Sequence, residues 1–399
     1  MVPVREAEEI ILRHRRDYGV ETLPFDQCLG RVLAEDIRAD RDMPPYDRVT
    51  MDGIAIRYES FLNGIRSYRI LSIQAAGDTP ADIHAGDECV EIMTGAALSP
   101  TTDTVIPYEE IEIQDGRALV TSDQVQPRQN IHLQGRDKKK DDLLVAPGAF
   151  ITPAVITAAA SVGKTLLQVK KIPRVIIIST GDELKRVDET PTRFQIRRSN
   201  NYALHAVLQP YGVDAAMLHL PDEPGIMHEK LKQCLADYDV LLLSGGVSMG
   251  KFDHVPTVLE QLGVQKLFHK VRQRPGKPFW FGQRTDGPVV FAFPGNPVSS
   301  FMCMHRYFLP WLGACWQVTT RQAYAILSED ISFKPALQYF LQVKLENEQG
   351  QLFAKPVEGN GSGDFANLLS TDAFLELPME RDHFQRGEVF PLWAFRRMT

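Results

Sequence analysis

Apolar positions change their period along this chain, and each change marks a region. In "PVREAEEIILRHRRD", Val4, Ala7, Ile10 and Ile11 recur at helical spacing, and the first forty residues read as helical. Pro44 and Pro45 in "DMPPYDRVTMDG" then favour an extended segment. From about residue 54 to 135 short strands predominate. "CVEIM", "DTVIPYEEIEIQ" and "ALVTS" are β-rich, and Asp115-Gly116 suits a hairpin turn. Helical spacing returns in "TPAVITAAASVG".

Residues 172–317 carry the clearest alternation. The runs "RVIIIS", "AAMLHL", "DVLLLS" and "PVVFAF" are apolar on both faces and are separated by helical stretches such as "NNYALHAVLQPYG". That pattern predicts a doubly wound, mostly parallel α/β sheet covered on both sides. The remainder is strand-like again. The expected layout is a linker domain from 1–42 and 139–171, a small β domain over 43–138, an α/β domain over 172–317 and a β domain over 318–399.

Charge and composition narrow the function. A formal net charge of −7 argues against a generic nucleic-acid binder. No apolar run is long enough to span a bilayer and the N-terminal stretch does not read as a signal peptide, so a cytoplasmic protein is expected. Cys28, Cys89, Cys234, Cys303 and Cys315 have no paired spacing, which predicts buried thiols rather than a zinc or redox site.

In an open α/β sheet, ligands bind beyond the carboxyl ends of the strands. Here "STGDEL", "PDEP", "SGGVSMGKFD" and "PGNPVSS" follow the four apolar runs in turn. Each alone is ordinary turn chemistry; together at one sheet end they predict a site. Gly245 and Gly246 allow close approach of backbone N–H groups to an anion, and Ser248 and Ser299 offer hydroxyls. Lys270, Arg274 and Lys277 in "KVRQRPGKP" form a local basic cluster. Asp182, Glu183, Asp222, Glu223 and Asp253 are oxygen donors for Mg²⁺, with Asp182 equally suited to capping a helix. Neither a P-loop nor a G-x-G-x-x-G follows a strand, so the phosphorylated ligand is held in another way.

The motifs "YDRVTMDGIAI", "EIMTGAAL", "IISTGDEL", "SGGVSMGKFD", "RPGKPFWFG" and "FAFPGNPVSS" resemble, in order and nearly end to end, the molybdopterin molybdenumtransferase family, which includes MoeA and the gephyrin E domain. The resemblance implies a homodimer that inserts molybdenum from molybdate into adenylylated molybdopterin, with Mg²⁺-dependent release of AMP. It implies catalytic roles for Asp52, Thr94, Asp137, Glu183 and Asp253, and metal ligation by Glu223 and Asp253. It implies substrate binding by Ser199, Asn200, Gly245, Gly246, Ser248, Lys270, Arg274, Lys277, Pro294, Asn296, Pro297 and Ser299. Contact with a molybdopterin adenylyltransferase also follows as an expectation.

The chain departs from that pattern at Arg198 in "RRSNN", Arg136 in "QGRD" and Gln342, where acidic or basic residues are usual. Gained positive charge predicts stronger anion attraction. Two other readings stand beside the transferase: a non-catalytic molybdopterin-binding scaffold, and adenylylation of molybdopterin itself.

Overall fold

The computed structural model describes residues 1–247, 254–319 and 321–396. They form two compact units: one comprises Met1–Ala34, Pro147–Thr152 and Leu166 onward, the other Glu35–Ala146 with Pro153–Thr165.

The first unit is built on a six-stranded sheet: β1 (Val175–Thr180), β2 (Ala216–Leu220), β3 (Val240–Ser244), β4 (Val264–His269), β5 (Trp280–Arg284) and β6 (Val289–Phe293), in the order β2-β1-β3-β6-β5-β4. The β2-β1-β3-β6 part is parallel; β5 and β4 add an antiparallel edge. Successive side chains point to opposite faces, so each apolar run feeds two cores. Ile177, Leu242 and Phe291 enter one, with the helices Asn200–Leu208 and Pro297–Cys303. Ile178, Leu243 and Val290 enter the other, with the helices Pro224–Asp237 and Val255–Gln261. Register aligns Ser179 with Ser244 and Ser244 with Phe293. The parallel strands therefore end flush, and their following turns share one edge.

The N-terminal expectation needs correction. Helix Val4–Arg13 forms and buries Val4, Ala7 and Ile11, but the helix does not continue through residue 40. Gly19 at φ +87° turns the chain, and Val20–Pro24 pairs antiparallel with Leu166–Lys170. That partner lies far along the sequence, where no local periodicity reports it.

At the C-terminal end, Gln338–Glu348, Gln351–Pro356, Ala323–Leu327, Val389–Ala394 and Ala373–Leu377 pair in sequence and back to the first strand. This closed barrel leaves none of the five as a free edge. Arg306 connects it to the rest of the unit. Its guanidinium is buried and donates to Glu376 from the barrel and to Glu8 from the first helix, both at 2.9 Å. Glu376 also accepts from Trp393 Nε1 at 2.7 Å and Gln338 Nε2 at 2.9 Å.

The second unit holds a six-stranded sheet ordered Thr104–Pro107, Gly53–Ile56, Glu88–Ile92, Ser67–Gln74, Arg117–Val120 and Ile111–Gln114. The Asp115-Gly116 hairpin joins the last two in sequence, with both residues at positive φ. Gly53 is compelled by packing, since an added Cβ would fall on the carbonyl of Ile106 in the paired strand. All five cysteines are free and buried.

Two stability outcomes follow. Glu376→Ala strands a buried cation with one carboxylate fewer, an effect of about 3–5 kcal/mol; denaturant unfolding should show a lower midpoint, with Glu376→Gln less affected. Gly53→Ala should break the pairing of Gly53–Ile56 with Thr104–Pro107, read as lost amide protection in those strands. Unchanged protection would contradict the close approach.

Candidate functional site

The flush strand ends open into a cavity of about 830 Å³. Its walls come from every one of the expected turns: Ser179–Gly181 and Glu183 after β1, Asp222 after β2, Ser244–Val247 at the end of β3, and Pro294–Pro297 after β6. Residues 195–201 and Pro278 complete it, with Gly363 and Phe365 from the C-terminal region.

Local chemistry explains the shape. Gly245 and Gly246 sit at φ +101° and +66°, where a side chain is strained. A Cβ on Gly246 would also lie 2.7 Å from Thr180 Oγ1 and from Val255 Cγ2. The glycine turn therefore packs directly on the end of β1. Asn200, at the start of its helix, donates from Nδ2 to Ser244 Oγ at 2.9 Å and to the Gly295 carbonyl at 2.7 Å. It ties the end of β3 to the turn after β6. Asn296 donates to Ser362 Oγ at 2.6 Å, and His269 Nε2 lies 2.9 Å from the Val247 carbonyl. Thr180 Oγ1 and Asn201 Oδ1 are buried without hydrogen-bond partners, although both residues line the cavity. Burying polar atoms unpaired is costly, and a bound polar ligand or water would relieve it.

Among the described residues, the cavity's cations are Arg197 and Arg198. Arg197 Nε donates to the Glu189 carbonyl at 3.1 Å, and Arg198 makes no ion pair among the described residues. Near Arg198, His219 Nδ1 lies 3.1 Å from Ser179 Oγ. Burial, and then the Arg198 charge, lower the His219 pKa below its ordinary value.

The expected residues distribute unevenly. Glu183, Ser199, Asn200, Gly245, Gly246, Pro294, Asn296 and Pro297 line the cavity. The Glu183 carboxylate folds back over Gly181, where a Cβ would collide with it. Glu223 is exposed at the N-cap of its helix, while Asp222 faces the cavity. Ser299 is buried within its helix rather than on the cavity wall. Ser248 and Asp253 lie outside the described residues.

Lys270, Arg274 and Lys277 are not brought onto that wall. Lys270 donates its backbone N–H to Phe279, and Arg274 joins a two-residue strand that pairs with Gln338 and Tyr339. The guanidinium of Arg274 sits 5.8 Å from the Phe333 ring centroid. Pro278, in the same stretch, is the residue that reaches the cavity. Sequence reasoning treated Arg198 only as a departure; the signal was its place beside Ser199 and Asn200.

Asp52, Thr94 and Asp137 belong to the second unit, where their three motifs are laced together. Val49 donates to Ala96, Gly95 to Val49, Thr50 to Asn130 and Asp137 to Met43 through backbone bonds of 2.9–3.0 Å. Asp52 Oδ1 accepts from Thr94 Oγ1 at 2.7 Å and from Thr94 N at 2.6 Å. Those two donors, side chain first, lower its pKa below the usual carboxylate value. Asp137 Oδ1 lies 2.8 Å from His132 Nε2, and Arg136 beside it is exposed. Gln342 is in a barrel strand, with its Oε1 buried and unpartnered.

Comparison with known proteins agrees with this architecture. Residues 2–163 match the MoeA N-terminal region (domain I and II), 176–314 the probable molybdopterin binding domain, and 324–395 the MoeA C-terminal region (domain IV). The chain is 40% identical to a molybdopterin molybdenumtransferase of Synechocystis sp., over 99% of this chain and all of the relative. It is 31% identical to that of Synechococcus elongatus, over 92% of this chain and 93% of the relative. A crystal structure of the molybdopterin biosynthesis MoeA protein from Pyrococcus horikoshii superposes with a TM-score of 0.85 at 27% identity, covering 99% of this chain and all of the other. With matches that run from end to end in both sequence and structure, the chain belongs to the MoeA family of molybdopterin molybdenumtransferases.

Proposed function

We propose that this chain inserts molybdenum from molybdate into adenylylated molybdopterin, cleaving the adenylate and releasing AMP. The carrying observation is the cavity at the carboxyl ends of β1, β2, β3 and β6, which faces a glycine turn, two orphaned polar atoms and two arginines toward one space. Cleavage of a phosphoanhydride needs neutralisation of developing phosphate charge more than it needs covalent chemistry. Arg197 and Arg198 supply cationic donors, and the turn at Gly245–Gly246 supplies close backbone approach. Asn200 fixes the separation of the turns, so the donors need little reorganisation when substrate enters.

Magnesium fits this wall in a limited way. Among the described residues no three ligating groups cluster as a protein-only metal cage. Glu183 and Asp222 suit an ion that shares its coordination with substrate phosphates, the usual magnesium arrangement, and Asp253 is a further candidate. When bound, the ion would add positive charge beside the phosphoanhydride. A role for Asp52, Thr94 and Asp137 in catalysis, a homodimer, a cytoplasmic location and contact with a molybdopterin adenylyltransferase belong to the same reading. No described helix is long and apolar enough to cross a membrane.

Incubation with adenylylated molybdopterin, molybdate and Mg²⁺ should yield AMP and molybdenum-loaded cofactor together. Bound substrate with no AMP above a boiled control would reduce the chain to a binding or scaffold protein, and ATP consumption with unadenylylated molybdopterin would make it an adenylyltransferase. Thr94→Val removes the side-chain donor that favours ionised Asp52, so the Asp52 pKa should rise toward the ordinary value. Carboxyl NMR titration reads that rise directly, and the acid limb of the rate profile should move to higher pH with it.

A further inference from the structure

The amino ends of the parallel strands hold a separate compartment of about 440 Å³, at the opposite end of the sheet from the main cavity. Arg174 immediately precedes β1, Asp239 precedes β3, and the turn 285–288 leads from β5 into β6; all of them line it. Arg16 and Tyr18, which follow the first helix, add to the same wall.

The lining sets three guanidiniums, of Arg16, Arg174 and Arg284, against two carboxylates, of Asp239 and Asp286, and is net positive. One pair is closed. Arg174 donates to Asp239 from its backbone N at 2.8 Å, from Nε at 3.2 Å and from Nη2 at 2.9 Å. The Arg16 guanidinium reaches only Gln283 Oε1, at 3.5 Å, and neither Arg16 nor Arg284 makes an ion pair among the described residues. A Cβ on Gly287 would lie 3.0 Å from Arg284 Cβ and 3.2 Å from its Cγ and Cδ, so the Arg284 stem lies along the turn that lines the compartment.

Tyr18 adds a donor. Its ring stands edge-on to Trp311 at 6.5 Å, and its hydroxyl is buried without a hydrogen-bond partner among the described residues. Burial pushes its pKa well above the ordinary tyrosine value, so the hydroxyl stays protonated. An unspent buried donor beside two unpaired guanidiniums suits an oxyanion, whose several acceptor atoms can take all three.

We propose that this compartment binds a phosphate group, free or at the end of a small monoester, between Arg16 and Arg284 with the Tyr18 hydroxyl as the third donor. The closed Arg174–Asp239 pair keeps that carboxylate from competing for the two arginines. The site lies apart from the main cavity and does not rest on the proposed function.

Calorimetry with the full chain at low ionic strength tests it, with inorganic phosphate and glycerol 3-phosphate as probes. Arg16→Gln and Arg284→Gln should each weaken binding at least about tenfold. Tyr18→Phe keeps the ring against Trp311 and should weaken it at least about threefold. Arg198→Gln, altered at the other end of the sheet, should keep this binding component, which assigns it to the compartment. Equal affinity for the two probes identifies a free oxyanion as the ligand; tighter binding of the ester, weakened in the same variants, identifies a monoester. Thermal melts check that each variant is folded, and Tyr18→Phe, which removes no bond made by the unliganded chain, decides the matter if an arginine variant unfolds. No binding of either probe at millimolar concentration, affinity unchanged in any folded variant of the compartment, or loss of all binding in Arg198→Gln overturns the site.

Discussion

The amide of Asn200 holds two strand ends at a fixed separation, and the candidate site depends on that bridge. Ser244 ends β3 and Gly295 follows β6; Asn200 Nδ2 reaches both. Parallel strands with flush register would otherwise leave their carboxyl-end turns free to move independently. Thr180 adds the next contact, packed so closely on the glycine turn that Gly246 has no room for a Cβ. Strand ends, glycine turn and helix start therefore form one rigid edge. An electrostatic site benefits from that rigidity, because donors already in place need no reorientation as charge develops.

Charge is distributed against the average of the chain. The protein is acidic overall at −7, yet the cavity edge carries Arg197 and Arg198. Two guanidiniums facing Glu183 and Asp222 give the cavity edge both signs of charge, an arrangement suited to a phosphate that shares a cation with the carboxylates. His219 belongs to the same balance. Burial and the nearby Arg198 favour its neutral form, leaving the guanidinium as the cation in that corner at neutral pH.

Much of this was legible because the central strands are buried on both faces. "VLLLS" and "VVFAF" have no alternation to misread, and their following turns fell together as the sheet rule requires. Long-range pairing was not legible. Val20–Pro24 finds Leu166–Lys170, and Arg274 pairs with Tyr339 of the barrel; neither partner leaves a mark near its mate in sequence. The basic residues Lys270, Arg274 and Lys277 follow that pairing, and none of them lines the cavity. The second-unit motifs show the opposite case. Asp52, Thr94 and Asp137 are remote in sequence, yet short backbone ladders draw their segments onto one connected surface.

Arg198 shows why a departure from a family pattern needs a structural address before it has a meaning. Read as a charge change beside Ser199, it suggests only a stronger field. Placed beside Asn201, where the cavity adjoins a smaller hollow, it gains a location at the edge of the cavity. A carboxylate in that position would repel a phosphate, whereas a guanidinium attracts one. Arg198 therefore places a fixed positive charge on an edge held by Asn200 and the glycine turn.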